Sequence, residues 1–192
     1  MITTSTQTEN QTYTKIPTFK ILLWLAMVSM VMIFAGLTSG YIVRQADGNW
    51  QIFELPKIFY VSTIVMLLSS ISMQWAFSAI KKDNLAQLRI GLMITLGLGL
   101  TFCFTQFMAW SNLVDNGVFF VGNPSGSFLY VLTGLHLFHL FGGMLFLMVL
   151  TTRSIQGKYH SGNYLPVELG TIFWHFLDGL WVYLFVFLLL VR

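Results

Sequence analysis

Charge is what this chain has least of. Asp, Glu, Lys and Arg make up 9% of its 192 residues, while 56% are hydrophobic. A water-soluble domain carries about a quarter charged residues. So little charge cannot build a water-facing surface around a single core, so the solvent of this chain is lipid. Cysteine is nearly absent too. The one thiol, Cys103, lies among Phe and Thr in an apolar stretch, which excludes an intrachain disulfide, leaves the redox compartment unread and points to packing. There is no Walker loop, no Cys pair, no H-E-x-x-H and no nucleophile elbow, so catalytic patterns are missing. Internal repeats and a soluble domain are missing as well. The positive balance of +3 is spread over loops instead of forming a basic stripe, a distribution that suits cytoplasmic loops and not nucleic acid. Residues 1–18 are polar, rich in Thr, Gln and Ser, and hold no apolar run with a small-residue cleavage site. They are expected to form a disordered cytoplasmic tail without a cleavable signal peptide.

What the chain does have is five apolar runs, at about 19–43, 56–79, 89–111, 128–151 and 168–190. A helix needs about 20 apolar residues to cross a hydrocarbon core about 30 Å thick. Only helices and closed barrels satisfy their backbone in lipid, and these runs are too long, and too free of period-2 alternation, for barrel strands. The expected fold is therefore all-α: a membrane domain of five transmembrane helices over residues 19–192. Pro56 and Pro166 fall just before helices, where a missing N–H costs little, and Gly122-Asn-Pro-Ser-Gly-Ser127 is turn chemistry ahead of the fourth. With the N-terminus inside, Lys15, Lys20, Lys81, Lys82, Arg89, Arg153 and Lys158 face the inner side, and Arg44, Lys57 and Arg192 the outer. That distribution favours an N-in, C-out chain, and the connection at about 112–127, free of Lys and Arg, fits outside.

Polar groups stand out against this background. His136 and His139 are three apart in the fourth run, and His175 and Asp178 repeat the spacing in the fifth, so each pair shares a helix face. At 1.5 Å per residue His139 lies about 16 Å below the outer boundary and Asp178 about 15 Å above the inner one, nearly one depth. A His139–Asp178 or His136–Asp178 hydrogen bond is expected as the least costly way to bury the acid, within a network of His136, His139, His175 and Asp178. Four readings compete for these side chains. They latch helices together structurally; they ligate a b-type haem, although flanking Leu and Phe fill the space a macrocycle needs; they bind a metal such as zinc, although no second shell can be read; or they pass protons or ions, although interrupted helices are not seen.

Weaker signals accompany them. Gly36-xxx-Gly40 and Ala35-xxx-Ser39 in the first run, Gly91, Gly97 and Gly99 in the third, and Gly142 and Gly143 in the fourth suit close helix packing. Gln106 is expected to bond across to a neighbouring helix. Trp174 and Trp181, seven apart on one face, and Tyr183 beyond them, either line a lipid-filled groove or pack in a helix contact.

Taken as motifs, these residues resemble a known family. Tyr130-xx-Thr-Gly-Leu-His136-xx-His139-xx-Gly142 and Trp174-His175-Phe-x-Asp178-xx-Trp181 are similar to signatures of subunit III of haem–copper terminal oxidases. Leu98-Gly-Leu-x-Phe-xxx-Gln106-xxx-Trp110, Ser62-Thr63, Leu67-Leu-Ser-Ser70, Trp75-Ala76 and Phe34-Ala-Gly-Leu-xxx-Tyr41 extend the likeness over about residues 20–190. The resemblance implies the five-helix form of an accessory subunit in a bacterial cytoplasmic membrane, the form that also occurs among quinol oxidases. It implies no cofactor in this chain, with haems and copper on partner subunits. It further implies bound phospholipid in a cleft, packing beside catalytic subunit I and the other oxidase subunits, membership of a respiratory complex or larger supercomplex, and support for proton uptake and sustained turnover. Two positions depart from the family: Met30 and Ala109 stand where membrane-embedded acids are usual, so Asp178 becomes the only acid deep in a span and bracing is favoured over proton conduction. A stand-alone haem b anchor and a small ion carrier are the alternatives from other classes.

Overall fold

The computed structural model describes residues 18–46, 48, 50–157, 159 and 164–191. The expected tail thus lies outside the described residues except for Thr18, as do Lys15, Lys158 and Arg192 from the charge argument. Five helices run α1 (Thr18–Ala46), α2 (Ile58–Lys81), α3 (Leu85–Asp115), α4 (Pro124–Ile155) and α5 (Leu165–Leu190). All five are long and apolar enough to cross a membrane.

Each helix starts where local chemistry lets it. Asn84 caps α3 by accepting from the Gln87 backbone N–H at 3.1 Å. Asn123 caps α4 through the Ser125 N–H at 3.0 Å, with Pro124 as the first helical residue, so α4 begins four residues earlier than the apolar run suggests. The side-chain cap satisfies one orphan donor and the proline removes another, where lipid could accept from neither. Pro166 likewise sits inside the first turn of α5 and not before it. Helices α3 and α4 hold 31 and 32 residues, about 46–48 Å at 1.5 Å per residue, and carry polar turns beyond the hydrocarbon.

Helices α2, α3, α4 and α5 form a closed ring in which each packs on the next and α5 returns to α2, while α1 lies outside against α4 and α5 only. The tightest pair is α2 and α3, joined by a three-residue turn in which Asp83 takes φ +53°. Short polar side chains tolerate that left-handed conformation best after glycine. Where the two helices meet, a Cβ on Gly91 would stand 2.7 Å from the Ala76 Cβ and 3.1 Å from its Cα. Gly143 and Gly99 give the same kind of clearance on α4 and α3, against Leu177 and Trp174. Gly40 faces Phe128 of α4 at 3.7 Å, whereas Gly36, Gly97 and Gly142 face open space and take no part in the contacts expected of them.

The core fills the ring. Phe59, Met66, Met73, Phe102, Leu132, Trp174 and Trp181 are buried, and the Trp181 indole lies parallel to Phe59 and edge-on to Phe102 at 4.8 Å. Helix α1 is held differently. Tyr41 is enclosed edge-on by Trp50, Phe128 and Phe187. Lys20 meets Glu168 at 2.7 Å at one end, Gln45 donates to the Val191 carbonyl at 3.0 Å at the other, and Tyr183 bonds Thr38 between them.

Because Gly91 has no clearance, Gly91→Val should cost about 1–3 kcal/mol through overpacking, whereas Gly97→Val, in open space, should be near neutral. Unfolding of both variants in mixed detergent micelles measures the contrast.

Candidate functional site

The α2/α5 seam gathers Trp174, Trp181 and His175 of the side chains singled out from the sequence. Helix α2 carries hydroxyls at Ser62, Thr63, Ser69, Ser70 and Ser72 within an apolar span. Thr63 donates to the Phe59 carbonyl at 2.8 Å and Ser69 to the Met66 carbonyl at 2.8 Å. Back-bonding of this kind satisfies the hydroxyl proton inside its own helix and leaves the oxygen lone pairs free. Those lone pairs receive the indoles of α5: Trp181 Nε1 donates to Thr63 Oγ1 at 3.1 Å and Trp174 Nε1 to Ser69 Oγ at 3.0 Å. The two tryptophans are therefore core latches, each 1% exposed or less, and line no groove. Antiparallel packing matches their seven-residue separation to the six residues between Thr63 and Ser69.

At the next residue of each helix, His175 Nδ1 lies 2.5 Å from Ser70 Oγ, and its Nε2 lies 3.1 Å from Gln74 Oε1. A carboxamide oxygen only accepts, so Nε2 carries the proton, and Nδ1 accepts from Ser70. Both ring nitrogens are engaged on α2.

The direct histidine–aspartate bond expected from depth and spacing is not made. His139 turns its Nδ1 onto the carbonyl of Leu135 at 2.8 Å, one turn back on its own helix, and its ring faces Phe34 of α1. His136 is fully buried inside the ring, tilted against Trp181 at 5.2 Å and edge-on to Phe102, and neither of its nitrogens makes a hydrogen bond among the described residues. The carboxyl oxygens of Asp178 make none either; the neighbouring Ser70 hydroxyl is committed to His175. The His136 imidazole packs instead against the rings of Trp181 and Phe102, at 5.2 and 5.9 Å. Gln106 reaches Ser62 on α2 with Nε2 at a long 3.4 Å, and its Oε1 has no partner among the described residues.

The three imidazoles thus point three ways: His136 into the ring, His139 toward α1 and His175 onto α2. They present no common space to a bis-histidine haem, and among the described residues no three His, Cys, Asp or Glu side chains converge in a way that could hold a metal ion. The hydroxyl partners Thr63 and Ser69 were missed in the sequence. The signal that could have found them is a run of Ser and Thr within an apolar span, opposite tryptophans of matching spacing.

Apolar grooves flank α1. One of about 450 Å³ between α1 and α5 is lined by Phe34, Phe176, Gly179 and Tyr183 among others. A second of about 390 Å³, between the N-terminal half of α1 and helices α4 and α5, includes Met30 and Phe173. Tyr183 is therefore the one groove-lining member of the three aromatic residues singled out on α5.

Residues 1–191 match the sequence profile of the family described as cytochrome c oxidase subunit III. A probable cytochrome c oxidase subunit 3 of Nocardia farcinica is 32% identical over 89% of this chain and 86% of its own length. One from Mycobacterium tuberculosis is 30% identical with the same coverage, and a cytochrome c oxidase subunit 3 of Spodoptera frugiperda is 30% identical over 70% of this chain and 87% of its own.

The seam predicts a specific coupling. Thr63→Val keeps the shape and removes the acceptor, so it and Trp181→Phe should each destabilise the fold, with a coupling of about 0.6–1.7 kcal/mol in a double-mutant cycle. Asp178→Asn, which breaks no hydrogen bond here, should cost less than Thr63→Val in the same unfolding assay.

Proposed function

The chain belongs to the cytochrome c oxidase subunit III family, and from that premise we propose how this accessory subunit of a haem–copper oxidase works. It packs on catalytic subunit I of a complex that reduces oxygen to water and pumps protons. It lies N-in and C-out in the cytoplasmic membrane of a bacterium, and contributes no redox group. The haems and copper sit on partner subunits, and other oxidase subunits or a larger respiratory assembly surround it. Its own task is to hold phospholipid and keep the catalytic subunit turning over.

The observation that carries this reading is the placing of α1. Four helices close on themselves and α1 stands outside, leaving apolar grooves of about 450 and 390 Å³ on its two sides. Grooves of that size and lining suit acyl chains. At the mouth of the inner groove, near Phe19, the Lys20–Glu168 pair supplies charge at headgroup level. The polar side chains within the spans are largely committed to helix contacts, and Met30 puts a thioether where family members carry an acid. His136, His139, His175, Asp178 and Gln106 brace the bundle in this reading, each through its own neighbours and not as one network.

Two measurements test it. Pull-down from native membranes in mild detergent should bring a haem–copper catalytic subunit in fixed ratio; its absence would overturn the accessory role. Gly179→Phe fills the α1/α5 groove from a position with open space around it. It should lower the phospholipid retained by the purified complex and shorten its activity lifetime several-fold, with the initial rate little changed.

A further inference from the structure

One polar cluster lies on the outside of the ring, at membrane depth. Gln74 is exposed on α2 and His175 is half-buried on α5. Gln74 Oε1 accepts from His175 Nε2, and His175 Nδ1 accepts from Ser70. The carboxamide nitrogen of Gln74, with two N–H donors, meets no acceptor among the described residues. Helix α2 has 24 residues, about 36 Å, which exceeds the hydrocarbon core by about 3 Å at each end. Gln74 is seven residues before Lys81, so it lies about 7 Å inside the hydrocarbon. Its bond to His175 keeps it from reaching the headgroups. Acyl chains offer no acceptor, and an unmatched amide in lipid is costly.

The surroundings fit a helix better than lipid. Ser70, Gln74 and Ser78 recur every four residues along one stripe of α2, with Leu67, Ile71 and Trp75 exposed beside it. Small and hydrogen-bonding side chains in such a stripe let a second backbone come close. The α2 part of this face is clear of α1, which touches only α4 and α5, and neither Gln74 nor His175 lines the two grooves beside α1.

We propose that the α2/α5 face around Gln74 and His175 seats a transmembrane helix of the catalytic oxidase subunit, and that this helix brings a hydrogen-bond acceptor to the Gln74 carboxamide. The proposal rests on the accessory role given above and locates its contact surface. The helix lies along the stripe with its acceptor at the level of Gln74, and closes a chain from Ser70 through His175 and Gln74 to the partner.

The test uses the whole complex in native membranes. A benzophenone amino acid in place of Ile71, one turn from Gln74, is photolysed in parallel with one in place of Phe138, an exposed position on α4. The expected result is a covalent product between the Ile71 probe and the catalytic subunit, and none from Phe138. Gln74→Leu should in addition lower the catalytic subunit retained after detergent dilution by about threefold to twentyfold, the range of one interhelical hydrogen bond in a bilayer. The crosslink is made with Gln74 intact and does not depend on how that variant folds. If the catalytic subunit co-purifies but the Ile71 probe reaches only lipid or a second copy of this chain, the proposed surface is wrong and the accessory role stands. An Ile71 crosslink with full retention of Gln74→Leu overturns the acceptor contact. Failure of the catalytic subunit to co-purify at all overturns both.

Discussion

Closure of the ring depends on one kind of contact, the indole N–H of α5 donated to a back-bonded hydroxyl of α2. In hydrocarbon a buried N–H has no water to fall back on, so tryptophan inside a span needs an acceptor at a definite place. Thr63 and Ser69 supply it because their own protons are already held by the carbonyls of Phe59 and Met66. Two such bonds about two turns apart set both the register and the rotation of α5 on α2. With those settled, Phe59 and Phe102 can pack on Trp181, His136 is enclosed between Trp181 and Phe102, and Gly143 lets Leu177 approach α4. Other contacts around the ring repeat the theme: Ser72 with Thr95 joins α2 to α3 at 2.7 Å, and Trp110 Nε1 donates to Thr133 between α3 and α4 at 3.1 Å. Individually these bonds are worth on the order of 1 kcal/mol. Their effect is to favour one arrangement of four otherwise similar apolar helices.

Helix α1 is governed by different physics. Its contacts are an ion pair at one end, aromatic edges around Tyr41 and a carbonyl bond at the other end, with grooves beside the middle. A helix held at separate points along its length, with Met27 and Phe34 buried between its ends, leaves apolar grooves beside it without opening the ring. In the reading proposed above, that division gives the subunit a closed ring as its body and a flank for lipid, while the polar stripe of α2 and α5 remains for a neighbour. A protein with this layout supports another's chemistry by shape and solvation, which agrees with side chains committed to packing and with the family to which the chain belongs.

Much of the fold was legible in the residues. The five apolar runs, their lengths and their helical character follow from hydrocarbon thickness and backbone hydrogen bonding alone; the structure extends the third and fourth runs at both ends, from caps at Asn84 and Asn123, while α2 starts two residues later than its run. The candidate site was legible in its members but not in its connections. His136, His139, His175, Asp178 and Gln106 were visible as costly polar groups in apolar spans, and depth placed Asp178 level with His139. Depth along the membrane normal does not specify rotation about each helix axis. That rotation aims His139 at Phe34 and its own Leu135 carbonyl, leaves Asp178 without a bond to either histidine, and brings His175 onto Ser70 and Gln74.

The sequence by itself therefore determined that this protein lives in a bilayer, how many times the described helices can cross it, and, through its motifs, which family it joins. These properties depend on local composition and on the cost of exposing a peptide group to lipid. Only the tertiary structure decided which polar groups meet, that Trp174 and Trp181 are latches while Tyr183 lines a groove, and that α1 stands apart from a closed ring. Those outcomes depend on helix rotation and on close packing at Gly91 and Gly143, where contacts among residues far apart in the chain choose between arrangements that the apolar pattern leaves nearly equal in energy.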